Sequence, residues 1–237
     1  MVFVFSCCAG IMILSFITSC GKNNGNISPT LSKIQFQVAN LSPDLQPVYL
    51  YIGTIKQNNN SYFTYPNPSG YFSLNTIGSP IQIRSASAQA STVNIFSIDT
   101  VIMHAYFKYT LFVTGLKADS SSSNRVSYIF TVDTAGPPPA GRGKIRFVNA
   151  SPRSAPVDVY ANDKVAFQNQ GYKNVSPYIL LPPGNYDFKV TPAGQSTVIN
   201  TLPRFTIVDG KVYTMYCRGV ANGADSVAFG TGMIINR

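Results

Sequence analysis

From residue 34 to the end of the chain, apolar residues recur at every second position in short runs. Val157-Asp158-Val159-Tyr160 and Tyr186-Asp187-Phe188-Lys189-Val190 alternate strictly. That is the pattern of a strand with one face on a core and the other in water. Turn residues cut the runs apart. Asn162-Asp163 precedes the returning run Val165-Ala166-Phe167, and Pro182-Pro183-Gly184-Asn185 divides residues 178–181 from 186–190. Asp209-Gly210 lies between residues 205–208 and 212–217 and predicts a tight hairpin. Residues 227–235 supply a closing strand, and Tyr160, Tyr186 and Phe188 are expected to fill the interior. About seven to nine short strands with frequent turns predict a β-sandwich.

The pattern occurs twice. Ile34-Gln35-Phe36 followed by Asn40-Leu41-Ser42-Pro43 matches Ile145-Arg146-Phe147 followed by Asn149-Ala150-Ser151-Pro152. On that alignment Gln37 and Val38 intrude before Asn40, and residues 58–68 form an insertion. Val48-Tyr49-Leu50-Tyr51-Ile52 matches Val157-Asp158-Val159-Tyr160-Ala161, and Gly70-Tyr71-Phe72 stands where Pro177-Tyr178-Ile179 does. Tyr109-Thr110-Leu111-Phe112 with Gly115 matches Tyr213-Thr214-Met215-Tyr216 with Gly219. A period of about 105 residues means two domains rather than a solenoid. Between them, residues 134–143 contain Gly136-Pro137-Pro138-Pro139, an extended linker expected to set the domain spacing. The expected fold is therefore all-β, two tandem immunoglobulin-like (Greek-key) β-sandwich domains at 33–133 and 144–237.

Composition agrees. All nine acidic residues are Asp, and 14 Tyr and 15 Phe accompany 18 Gly and 16 Pro. Lacking Glu and rich in aromatics, the chain favours strands and turns over helices. The net charge is +9. Residues 33–135 carry six Lys/Arg against four Asp, and 142–237 carry eleven against five. The positive residues are scattered, which reads as a solvated basic surface, with a specific anion site as the alternative and no nucleic-acid partner expected.

Residues 1–19 are almost wholly apolar and uncharged, and they end in Ile17-Thr18-Ser19-Cys20. This resembles the lipobox of bacterial lipoproteins. The resemblance implies a signal peptide at 1–19, lipid on Cys20 and a flexible Asn/Gly-rich tether at 20–32. An uncleaved membrane anchor is the alternative. By resemblance to Gram-negative lipoproteins, Gly21 rather than Asp after the Cys implies the outer membrane, with the periplasmic or surface side left open. Cys7 and Cys8 would leave with the signal peptide, so Cys217 would stand alone without a disulfide partner, a buried inert thiol in an apolar strand.

Arg146-Phe147-Val148-Asn149-Ala150-Ser151-Pro152, Leu181-Pro182-Pro183-Gly184-Asn185-Tyr186 and Val190-Thr191-Pro192-Ala193-Gly194 resemble the domain-of-unknown-function family 4397. That family is common in lipoproteins and secreted proteins of Bacteroidetes and brings no catalytic motif. The residues themselves supply none. The single His, His104, lies among apolar residues, and no Gly-x-Ser-x-Gly elbow or phosphate loop occurs. Asp158 and Asp163 flank one hairpin without an acidic calcium loop, so no metal or cofactor is expected. Tyr62, Phe63 and Tyr65 in the polar loop at 58–68 are candidates for contact with a glycan or an envelope protein. Thr100, Thr134 and Ser226, each after an Asp and before an apolar residue, resemble Bacteroidetes O-glycosylation sites, with Thr134 the expected exposed one. The sequence thus predicts a non-catalytic outer-membrane lipoprotein that binds or scaffolds at the envelope. The alternatives are a glycan-active enzyme using Asp carboxylates and a purely structural spacer. Oligomeric state is open.

Overall fold

The computed structural model describes residues 34–45, 47–57, 61–74, 78–86 and 92–237. The apolar N-terminal segment, the tether and Cys20 lie outside them, as do residues 58–60 of the aromatic loop. Apart from one 3-10 turn at Asp225–Val227, the regular structure of the described residues is β. No helix among them is long and apolar enough to cross a membrane.

The first repeat comprises β1 (Gln35–Asn40), β2 (Val48–Ile52), β3 (Ile55–Lys56), β4 (Phe72–Ser73), β5 (Ile81–Ser85), β6 (Asn94–Ile98), β7 (Lys108–Thr114) and β8 (Ser127–Val132). The second comprises β9 (Gly143–Asn149), β10 (Val157–Ala161), β11 (Lys164–Gln170), β12 (Ile179–Leu181), β13 (Gly184–Pro192), β14 (Asn200–Ile207), β15 (Val212–Arg218) and β16 (Gly230–Ile235). Their topologies are identical. Sheets β4-β1-β7-β8 and β3-β2-β5-β6 in the first repeat correspond to β12-β9-β15-β16 and β11-β10-β13-β14 in the second. β1 pairs in parallel with β7 and β9 with β15; the other pairings are antiparallel.

Alternation places the cores. Phe36, Val38, Leu50, Ile83 and Leu111 fill the first sandwich; Phe147, Val159, Phe188, Val190 and Met215 fill the second. Each such side chain contributes about 1.5–3 kcal/mol by leaving water. Asn162 and Asp163 have φ of 48° and 64°, the two left-handed residues of the tight hairpin that the sequence predicts.

Three expectations change. The Asp209-Gly210 hairpin is absent: β14 pairs with β13, whereas β15 lies in the opposite sheet beside β9 and β16. The turn is instead an arch between sheets, held where the Asp209 carboxylate accepts the Arg142 N–H at 3.0 Å and the Gly210 N–H reaches Arg142 O. A turn fixes chain reversal, but only packing decides whether the returning strand pairs or crosses over. Gln37 and Val38 are not an intrusion. Phe36 pairs with Tyr109 and Ile145 with Tyr213, so Gln37 corresponds to Arg146 and Val38 to Phe147. A slip of two residues keeps every side chain on its own face and therefore leaves no trace in the alternation. Finally, Tyr160 points away from the interior and lines a shallow outer groove with Lys189 and Thr191.

The two sandwiches stack. The outward faces of β1 and β7 meet those of β9 and β15, burying Ala39, Leu41, Phe112 and Ile129 against Val148, Ala150, Tyr216 and Ile234. Residues of both faces of β1 and of β9 are consequently buried. Phe112 and Tyr216 occupy equivalent positions and touch, ring centroids 6.1 Å apart. Arg218 donates to the Tyr65 hydroxyl at 2.9 Å, while the equivalent pair, Thr114 and Tyr172, brings its hydroxyls within 3.4 Å. Contacts between equivalent positions are those of an isologous dimer built within one chain. Spacing is thus set by sheet-on-sheet packing rather than by the prolines at 137–139.

Candidate functional site

The repeated Asn-x-Ser-Pro landmark does a structural job twice. The Asn40 side chain accepts the Ser42 N–H and donates to Phe63 O; the Asn149 side chain accepts the Ser151 N–H and donates to Gln170 O. The Ser42 hydroxyl donates to Gly115 O, and the Ser151 hydroxyl to Gly219 O, both at 2.7 Å. Each landmark ties the first strand of its repeat to the end of the parallel seventh. Gly219 has φ of +72°, and an added Cβ would lie 2.1 Å from Ala228 O, so this position needs glycine on two counts. Tyr109 and Tyr213 also act alike, their hydroxyls accepting the N–H five residues upstream, of His104 and Val208. His104 sits beside Phe107 with its ring exposed and its backbone in that corner.

Where the repeats meet, a buried polar network joins them. Asp133 forms an ion pair with Arg146, and both are almost completely shielded from solvent. The Asp133 carboxylate also accepts hydroxyl hydrogens from Tyr71 at 2.7 Å, Thr110 at 2.5 Å and Thr131 at 2.8 Å. Arg146 donates to Thr214 Oγ1 and to Val132 O, each at 3.0 Å, and its guanidinium lies over the Tyr178 ring. Asn236 closes the circuit, accepting from Thr214 and donating to Tyr71. Burial and the neighbouring Asp133 charge push the Tyr71 hydroxyl far above its ordinary range. Every charge here is matched by hydrogen bonds, the condition under which a buried pair is tolerated.

Most carboxylates are committed in this way. Asp44 accepts from Lys117 N and Ala118 N, Asp158 from Asn169 N and Gly194 N, Asp187 from Arg204 N, and Asp209 from Arg142 N. Asp119 caps Ser121 N and pairs with Arg153, which holds its carboxyl below the usual range. Asp163 pairs with Lys189 at 2.6 Å and does not join Asp158. Asp99 and Asp225 belong to different repeats and lie exposed. A cleft of about 940 Å³ in the first repeat is lined by Leu45, Val93, Leu116, Lys117 and Arg125 and has neither Asp nor His among the described residues that line it. No group of three metal-ligating side chains occurs among the described residues. Cys217 is buried, donates to Asn149 Oδ1 at 3.0 Å, and is pushed up to about 12 by burial.

The aromatic loop divides three ways. Phe63 is buried in the first core, bridged to Val48 and stacked 6.0 Å from Phe72; its alternation with Tyr62 turns it inward, so it offers nothing to a partner. Tyr65 is half-buried against Arg218 of the second repeat. Only Tyr62 stands clear, 54% exposed. Among the Asp-Ser/Thr sites, Thr100 and Ser226 are exposed as well as Thr134, contrary to the expectation that Thr134 alone would be. Asp133, which precedes Thr134, is locked in the buried network, and Thr134 Oγ1 already accepts the Lys108 N–H at 2.6 Å.

A surface that the sequence reading passed over lies on the outward face of β3-β2-β5-β6. Tyr49 and Tyr51 project from β2, Lys56 from β3, and Gln82 and Arg84 from β5. Lys56 Nζ sits 3.5 Å above the centroid of the Tyr49 ring, and the Arg84 guanidinium 4.2 Å above that of Tyr51. Gln82 Oε1 accepts from Arg84 Nε and Nη2. Tyr62 meets Tyr49 edge-on at 6.4 Å. The signal was available in Val48-Tyr49-Leu50-Tyr51-Ile52, whose outward positions are both tyrosine.

The family described as Domain of unknown function (DUF4397) matches the chain twice, at residues 34–158 and 143–230. The matches overlap in β9 and the start of β10. No curated protein matches the chain.

Proposed function

Since the chain belongs to the DUF4397 family through both of its repeats, we propose that it is a non-catalytic lipoprotein of the outer membrane that binds or scaffolds at the cell envelope. Lipid on Cys20 would anchor it, and the residues after it would carry a rigid two-sandwich body away from the membrane. The observation that carries the reading is the use to which the carboxylates are put. Seven of the nine Asp side chains hold backbone N–H groups or basic side chains of their own fold. A general acid or base needs a carboxyl in reach of a substrate, and these are engaged elsewhere. The buried Asp133–Arg146 pair favours a rigid body in which both outer sheet faces remain presented.

Metabolic labelling with a fatty acid, followed by fractionation, tests the anchor. The native chain should take up label and partition with outer membranes; Cys20→Ala should take up none and appear in the soluble fraction. Label retained in Cys20→Ala would overturn the lipid assignment. Protease treatment of intact cells then separates the two faces: release of peptides from residues 142–237 means surface exposure, and protection means the periplasm.

A further inference from the structure

We infer that the outward face of the β3-β2-β5-β6 sheet is a binding site for an acidic polysaccharide. This rests on the binding role proposed above and names its ligand class. Three features of the face carry it.

The first is charge without a counter-charge. The salt bridges among the described residues join Arg146 to Asp133, Arg153 to Asp119 and Lys189 to Asp163. Lys56 and Arg84 take part in none of them, and neither β2, β3, β5 nor β6 contains an Asp. Two cations held together on one face, neither of them in an ion pair among the described residues, create a field that an anion would relieve.

The second is preorganisation. In register Lys56 lies opposite Tyr51 and Arg84 opposite Tyr49. Each cation instead reaches diagonally, Lys56 over Tyr49 and Arg84 over Tyr51. Diagonal neighbours on a sheet are within reach of long side chains, and a ring face fixes a cation in place. Gln82 occupies two of the guanidinium donors, leaving others for an anion. Little side-chain order would then be lost on binding.

The third is shape. Sites for small molecules are concave, whereas this is an open sheet face. Lys56 reaches in from β3 and Arg84 from β5, each onto one tyrosine of β2, so the two charges lie over neighbouring rings whose residues are about 7 Å apart along the strand. A linear chain lying along β2 therefore meets both cations in succession. A sugar polymer offers apolar C–H faces to Tyr62 and the tyrosine edges, hydroxyls to Gln82 and the phenols, and carboxylate or sulfate groups to the cations. The equivalent face of the second repeat lacks this character. Tyr160 corresponds to Tyr51, but Lys189 there is neutralised by Asp163, and Asp158 replaces Tyr49.

Calorimetric titration of the detergent-solubilised, membrane-purified protein with polygalacturonate tests the site, with dextran of similar length as the neutral control. Saturable binding of polygalacturonate but not dextran is expected, weakening as salt is raised. Lys56→Gln with Arg84→Gln should reduce affinity at least tenfold. Gln82→Glu, which truncates nothing and supplies Arg84 with an internal carboxylate, should do the same while thermal unfolding stays unchanged. Lys189→Gln on the opposite sandwich should leave affinity as it was. Absence of polygalacturonate binding, equal binding by Gln82→Glu, or equal binding of duplex DNA or phosphatidylglycerol vesicles would each overturn the inference. The fatty-acid labelling outcome is independent of this titration, so failure of the ligand class and failure of the anchored-lipoprotein reading are told apart.

Discussion

The two repeats share one topology and the same internal ties, yet differ at three pairs of equivalent positions that matter. Gln37 stands where Arg146 does, Asn236 where Asp133 does, and Asp158 where Tyr49 does. What is shared builds a sandwich: Asn-x-Ser-Pro to the glycine after the seventh strand, and tyrosine to the N–H five residues upstream. What differs lies on the outward faces. One difference puts an ion pair in the seam between the repeats; Gln37, the equivalent of Arg146, is buried with its Nε2 lacking a hydrogen-bond partner among the described residues. The other gives the first repeat two cations that enter no salt bridge among the described residues, where the second has an internal ion pair. Duplication thus kept the elements that fold and let the outward positions diverge.

The seam gives the sharpest way to break the comparison. Removing one partner of a buried pair strands the other charge, so Asp133→Ala should lower the unfolding free energy by about 3–5 kcal/mol. Asp133→Asn combined with Arg146→Gln, which restores the residues of the equivalent side, should cost less than either change alone. Urea unfolding of Asp133→Ala, the two singles Asp133→Asn and Arg146→Gln, and the double variant measures this; a double variant as damaged as the sum of the singles would mean that the pair is not coupled.

Phe63 and Tyr62 separate core from surface within one loop. Phe63→Ala should destabilise by about 3–5 kcal/mol, and Tyr62→Ala by no more than about 0.5 kcal/mol. Thermal unfolding of both resolves them. A comparable loss at Tyr62 would show that its ring is structural after all.

The shared ties predict matched losses. Ser42→Ala and Ser151→Ala each leave a buried glycine carbonyl unpaired, which costs about 1–3 kcal/mol. If the repeats use the landmark alike, the two urea midpoints fall together. A difference approaching the whole effect would mark one repeat as more tolerant.

The last effect, that of pH, needs no substitution. The Cys217 thiol has an ordinary value of 9.0 and is raised to about 12 in the folded chain, and Tyr71 is raised too. Both groups stay protonated when folded at pH values where the unfolded chain has released the proton. Their contribution is therefore full below about pH 9 and declines as pH rises towards 12, because the unfolded state then binds fewer protons. Unfolding curves between pH 7 and 11 should show that decline, and alkylation of the Cys217 peptide at neutral pH should require denaturant.

Alternation, turn residues and the doubled landmarks determine by themselves that this chain forms two β-sandwiches of one design. Val157-Asp158-Val159-Tyr160 can satisfy its apolar positions only as a half-buried strand, and Asn162-Asp163 only as a tight reversal; both are local constraints of backbone and solvent. Tertiary structure decided what local constraints leave degenerate. A two-residue slip of β1 preserves its faces, so pairing with β7 alone fixed Gln37 opposite Thr110. Asp209-Gly210 reverses the chain equally well into a hairpin or an arch, and the second core chose the arch. The burial of Asp133 and Arg146 follows from two sheets meeting face to face, an event between residues that no period along the chain records. The tyrosine–cation face also arises across three strands, because Lys56, Tyr49 and Arg84 become neighbours only once β3, β2 and β5 lie side by side.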